Sequence, residues 1–290
     1  MSDFFRKLFS PITVTLDFIQ KYFKSLIFLL ILILVLAPAG TESVKPPNLA
    51  KVDLVGPITD PSKIVKELDD LAQEKSIKGV LLVVNSPGGA VAPSVEISLA
   101  VKRLKKRKPV VAYAAGTMAS GSYYASIWAD RIVANPAATI GSIGVIMEGM
   151  NIKGLMNKIG IKPQVVKAGK YKEAGTPFRE WTKDERKEIE THVFDIYRMF
   201  VRDVAKARSL DPKHPEKFAD AQIFLAEKAK SVGLIDEIGS IKKAEALTKT
   251  LSGVTEARWK EKSRFEQYME SFAEETTRTL VGQLRGWVIK

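Results

Sequence analysis

The residues with the most chemistry to offer are Gly116-Thr117-Met118-Ala119-Ser120-Gly121-Ser122-Tyr123-Tyr124, where the apolar, β-rich run Val110 to Ala114 feeds a small-residue turn and then a helix. A serine opening a helix has free backbone N–H groups and the positive end of the helix dipole beside it, so the same place favours a nucleophile and a developing oxyanion. A serine there is also an ordinary helix N-cap, and the catalytic reading therefore depends on a base. The chain has no cysteine and two histidines. His192 lies in the polar, amphipathic stretch 183–207, and His214 lies in the turn-rich Asp211-Pro212-Lys213-His214-Pro215. The base type that remains is a lysine, kept neutral by burial or by neighbouring positive charge.

With 45 lysines and arginines, composition cannot select one. Four segments taken in order can: Asn85-Ser86-Pro87-Gly88-Gly89, Met118-Ala119-Ser120-Gly121, Ile140-Gly141-Ser142-Ile143-Gly144-Val145 and Ala168-Gly169-Lys170-Tyr171-Lys172-Glu173. Together they resemble the signal peptide peptidase A family of membrane-bound Ser/Lys proteases. The resemblance implies that Ser120 is the nucleophile, Lys172 the general base and Ser142 the hydroxyl that orients the lysine amine. It also implies an oxyanion hole from the backbone N–H groups of Gly89 and Gly121, each donor worth about 3 kcal/mol in proteases of this kind. The family pattern has a second glycine after the serine. Here Ser122 stands in that place and is a rival nucleophile, although Ser120 fills the Ala-Ser-Gly slot and a residue two further on faces another side of the helix. Lys167 and Lys170 are the rivals of Lys172. No cofactor and no metal are expected.

The elements needed to position these residues read as α/β. Val52 to Val55, Val80 to Val84, Val110 to Ala114, Arg131 to Ala134 and Gln164 to Lys167 are expected strands; Ser62 to Gln73, Pro93 to Lys105, Ser120 to Trp128, Asn151 to Ile159, Lys183 to Ala207 and Leu225 to Val232 are expected helices. The resemblance implies a Clp-protease/crotonase-like fold of repeated β-β-α units. It further implies assembly into a homo-oligomeric ring, in which short members draw the serine and the lysine from adjacent subunits.

Ahead of this domain, Leu26 to Ala37 is an uninterrupted apolar run preceded by Arg6, Lys7, Lys21 and Lys24. The apolar run suits a retained anchor, a signal peptide removed near Ala37-Pro38-Ala39, or a buried core helix, and the family resemblance favours the anchor; the expected organisation is a cytoplasmic terminus (1–24), a single-pass signal anchor (25–39), a linker containing Pro46-Pro47 (40–50), a Ser/Lys protease domain (51–250) and a helical tail (251–290). Positive charge before the apolar run places the protease domain outside the cytoplasm, in the periplasm or its equivalent, on the inner membrane. The net charge of +12 comes with no nucleic-acid motif and is better matched to anionic lipid headgroups or plain solvated faces. In the tail, Leu280, Val281, Leu284, Trp287 and Val288 recur at helical spacing, which suits a membrane-surface helix, a helix packed on a neighbouring subunit, or a pseudo-substrate for the chain's own site. The expected activity is degradation of cleaved signal peptides and other apolar peptides. A non-catalytic membrane scaffold and a crotonase-type acyl-CoA enzyme are the alternatives.

Overall fold

Strand β2 (Gly79–Ser86) shows why the sheet is buried on both faces. Val80, Leu82 and Val84 are sealed in one apolar cluster, while Leu81 belongs to a second cluster with Val111, Tyr113, Val133 and Ala244. A strand whose residues are apolar at both parities needs cover above and below, the condition of a parallel sheet in an α/β fold. The computed structural model describes residues 18–32 and 45–261. Residues 18–32 are helical (α1) and belong to a unit of their own, 1–45. No helix among the described residues is long and apolar enough to cross a membrane. The rest of the expected anchor, 33–39, and the apolar tail positions 280–288 lie outside the described residues.

The second unit, 46–290, carries the sheet. In chain order its elements are β1 (Leu49–Val55), α2 (Ser62–Gln73), β2, α3 (Val91–Lys105), β3 (Val110–Ala119), α4 (Gly121–Ser126), β4 (Arg131–Ala134), β5 (Thr139–Gly141), α5 (Lys153–Lys158), α6 (Lys183–Arg208), β6 (Ile223–Leu225), α7 (Ala226–Ser231), β7 (Glu237–Ile238), α8 (Ile241–Leu251) and β8 (Trp259–Lys260). The strands run β6-β5-β3-β2-β1-β8, all parallel except β5 with β6. β3 is long and forks: Val111 to Ala114 pair with β4, which continues to β7, whereas Thr117 to Ala119 pair with β5. On its other side the register with β2 slips between Val84 and Ser86. The fork and the slip both occur just before Ser120, so the end of β3 leaves the plane of the main sheet at the serine. The larger core lies under α2, α3, α4, α6 and α7; α8 covers the opposite face through Ala244, Ile241 and Leu247.

Several expected elements shift. β3 runs on through Gly116 to Ala119 rather than stopping at Ala114, because pairing with β5 outweighs the glycine. The expected strand Gln164 to Lys167 does not form; 161–170 are exposed throughout, and β-branched Val165 and Val166 have no neighbouring strand to pack against. Leu225 belongs to β6, and the helix after it is Ala226–Ser231. The ordered fold continues past 250, since Trp259–Lys260 pairs in parallel with Leu49 and Ala50. Burial across the sheet leads to a contrast: Leu82→Ala, at a fully buried position, lowers unfolding free energy by about 2–5 kcal/mol, whereas Val55→Ala, 67% exposed at the end of β1, stays within about 0.5 kcal/mol. Urea unfolding of the two variants checks it.

Candidate active site

Ser120 occupies the sharp turn between β3 and α4, with φ 52° and ψ −123°. A non-glycine residue with such angles is strained and persists because its surroundings over-determine it. Those surroundings are visible. The Ser120 N–H donates to the Gly141 carbonyl at 2.7 Å, and its own carbonyl accepts from the Tyr124 N–H at 2.9 Å. Ser122, fully buried as the second residue of α4, accepts from the Ala119 N–H at 2.9 Å and donates to the Ser86 carbonyl at 2.6 Å. Ser122 is therefore a pin inside the turn, its hydroxyl committed on both sides. Ser120, by contrast, lines an apolar cleft of about 330 Å³.

The Gly88-Gly89 turn lies directly against the serine. A Cβ on Gly88, whose φ is +93°, would stand 2.9 Å from the Ser120 Cβ and 2.5 Å from the Gly121 nitrogen. A Cβ on Gly121 would stand 3.2 Å from the Gly89 nitrogen. Only glycine permits this approach. Gly89 bridges to Ile58 in parallel fashion, the bonds being made by its neighbours: the Ile58 N–H donates to Gly88 O and the Ala90 N–H to Ile58 O, each at 2.8 Å. That leaves the Gly89 N–H pointing the other way. Neither it nor the Gly121 N–H meets an acceptor among the described residues. Two uncommitted donors beside a strained serine have the layout of an oxyanion hole.

Ser142, at φ 50° with its N–H bonded to Gln222 O at 2.7 Å, lines the same cleft. The remaining wall is apolar, with Val91, Val95, Val145, Met199 and Phe200 among its residues. Tyr124 closes one end; its ring meets Phe200 edge-on at 4.9 Å, and its hydroxyl donates to Asp203 at 2.5 Å. Burial, then the Asp203 carboxylate, pushes this phenol far above its ordinary range. The histidines lie elsewhere: both are exposed, and His214 pairs with Glu216.

Lys172 is not in this cleft. It is exposed, on the turn-rich stretch between Gly169 and Gly175, so within one subunit the structure assembles Ser120, Gly89, Gly121 and Ser142 without the lysine. The stretch is nonetheless held by ion pairs. Arg179 donates to both oxygens of Glu185 at 2.8 Å and to Glu173 at 2.7 Å; Lys167 donates to Glu173 at 3.0 Å. Glu185 is 2% exposed and also accepts from the Thr182 N–H at 2.9 Å in a capping box that starts α6. The Arg179 guanidinium, and then the Thr182 N–H, hold the Glu185 carboxyl down at about 2. Lys170 is paired to Asp184 at 2.7 Å, which raises its amine above the ordinary lysine value. Of the three candidate bases, two are tied up as cations; the Lys172 amine has no hydrogen-bond or ion-pair partner among the described residues. The ion-pair network was missed in the sequence, although Thr182-x-x-Glu185 is a legible capping-box signal.

The family model for peptidase family S49 matches residues 102–255, and that for Clp protease matches residues 48–139. A provisionally named protease of Methanocaldococcus jannaschii is 48% identical over 62% of this chain and 59% of that protein. A provisionally named signal peptide peptidase SppA of Enterococcus faecium is 38% identical over 63% of this chain and 55% of that protein. A provisionally named protease of Synechocystis is 33% identical over 71% of this chain and 75% of its own length. The chain belongs to peptidase family S49, and its α/β fold is of the Clp-protease kind. It spans little more than half the length of the first two relatives.

Two variants check the geometry. Gly88→Ala forces a Cβ into the serine and displaces both donors, so kcat/KM against any cleaved peptide falls at least about 100-fold. Ser122→Ala leaves Ser120 in place but strands a buried N–H and a buried carbonyl, lowering stability by about 1–3 kcal/mol while leaving measurable peptidase activity. Acid stability gives a third check. Because the folded Glu185 sits below its ordinary value, its contribution is present above pH 4.5 and is lost as pH falls from there toward 2; in a pH titration of unfolding, Glu185→Gln flattens that acid limb.

Proposed function

We propose that this chain is a serine endopeptidase with a Ser120/Lys172 dyad that cuts apolar peptides, including signal peptides left after secretion. The observation that carries the reading is the strained Ser120 at a strand-to-helix turn, with the uncommitted Gly89 and Gly121 N–H groups beside it in an apolar cleft. An extended peptide lies along the cleft with an apolar side chain against Val95, Met199 and Phe200. Neutral Lys172, oriented by the Ser142 hydroxyl, removes the Ser120 proton as the serine oxygen attacks the peptide carbonyl. The developing oxyanion is taken by the two backbone donors. The lysine then gives its proton to the leaving amine, and water, activated by the same amine, hydrolyses the acyl-enzyme.

Lys172 reaches Ser120 from a neighbouring copy. In support, the stretch of chain between the serine cleft and the lysine segment exposes apolar residues in one subunit: Ile146 is 77% exposed, Met150 80%, and Val166 fully exposed. Apolar surface of this extent marks an association site. The copies form a ring, tethered to the inner membrane by the apolar run from Leu26 with its basic flank inside and the catalytic unit outside. The tether holds the cleft near its membrane-associated substrates.

Mixing two inactive variants tests both the dyad and its sharing. Ser120→Ala and Lys172→Ala each lose at least about 1,000-fold in kcat. Co-assembled one to one, they regain about a quarter of wild-type activity if each site takes its lysine from the next copy around a head-to-tail ring. No regain contradicts the shared site. Undiminished activity in either single variant contradicts the dyad.

A further inference from the structure

Three carboxylates of the segment around Lys172, those of Glu173, Asp184 and Glu185, are occupied by other cations. Glu173, next in sequence, is held by Arg179 at 2.7 Å and Lys167 at 3.0 Å; Glu185 by both arms of Arg179; Asp184 by Lys170 at 2.7 Å. Glu180, Lys183 and Arg186 flank the cluster, and the Arg186 guanidinium faces the Trp181 ring at 5.7 Å. A carboxylate free to pair with Lys172 would stabilise its ammonium and oppose its action as a base. We propose that Arg179 is a positioning residue for Lys172: by fastening Glu173 to Glu185 at the start of α6, it withdraws the neighbouring carboxylate and leaves the lysine amine without a counter-ion.

The geometry makes arginine the residue for this task. Its planar fork satisfies both oxygens of Glu185 and still spares one N–H for Glu173, which a lysine cannot do. Glu185 is the fixed end of the clamp, buried and bonded into the α6 capping box. The near-complete burial of this carboxylate on an exposed segment is otherwise costly.

The inference rests on the Ser120/Lys172 reading, and the test separates the two. The pH profile of kcat/KM for a fluorogenic apolar peptide is measured on the assembled full chain for wild type, Lys172→Ala, Arg179→Gln, Lys167→Gln and the double variant Arg179→Gln/Glu173→Gln. In Arg179→Gln the released Glu173 moves the acid limb to higher pH by about one unit, so activity at neutral pH falls about ten-fold with KM nearly unchanged. Lys167→Gln, which keeps both Arg179 bonds to Glu185 and gives up only a 3.9 Å ion pair there, moves it less in the same direction and stands in if Arg179→Gln fails to fold. Removing Glu173 as well returns the limb to its wild-type position, a rescue that a merely structural role of Arg179 does not produce. An unmoved acid limb in both single variants, or no return in the double variant, overturns the proposal while Lys172→Ala remains inactive. Full activity in Lys172→Ala overturns the dyad reading instead.

Discussion

The site depends on one close approach, that of the Gly88-Gly89 backbone to Ser120-Gly121. With hypothetical Cβ contacts of 2.5–2.9 Å at Gly88, no side chain fits between the two turns, and the serine, the two donors and the cleft exist in their present relation because none is there. The sheet is arranged to produce this contact. β2 and β3 are central neighbours, their register slips at Val84 to Ser86, and each ends in its own glycine turn on the same side. Ser86 and Ser122 lock the arrangement, one accepting from the Gly88 N–H, the other joining the Ser86 carbonyl to the Ala119 N–H. The strain at Ser120 is the local cost of aiming its oxygen into the cleft.

The two halves of the proposed chemistry are built by different physics. The serine half is made of buried strands, glycine turns and backbone donors, and its geometry is fixed within one subunit. The lysine half is an exposed segment ordered by ion pairs fastened to a buried glutamate on α6. A surface loop held by Lys167, Glu173, Arg179 and Glu185 keeps its shape without a core of its own. Its uncovered apolar residues suit it to be completed by another copy, which is where the proposed function places the base.

The serine half was legible in the sequence because its requirements are local. Continuous apolar runs mark β2 and the first half of β3, and glycines mark the turns where side chains are excluded. The structure places Ser120, Gly89, Gly121 and Ser142 along one cleft, and it buries Ser122 with its hydroxyl bonded inside the turn. Elements whose pairing is distant were less visible. β5 is three residues long and is specified by its partners at Thr117 to Ala119 rather than by its own composition, and β8 joins β1 across some 210 residues of chain. Gln164 to Lys167 failed in the opposite sense, having strand-like residues and no strand to meet. The ion-pair clamp was hidden because charged residues on a basic chain read as solvated surface, although Thr182 and Glu185 carried a capping signature.

Covalent trapping tests the central claim most directly. The full chain is treated with a fluorophosphonate linked to an apolar peptide, and the modified residue is located by peptide mass spectrometry. The account predicts a single adduct on Ser120, formed at least about ten-fold more slowly when Lys172 is replaced by alanine. An adduct on Ser122, or labelling of Ser120 at an undiminished rate without Lys172, would contradict it.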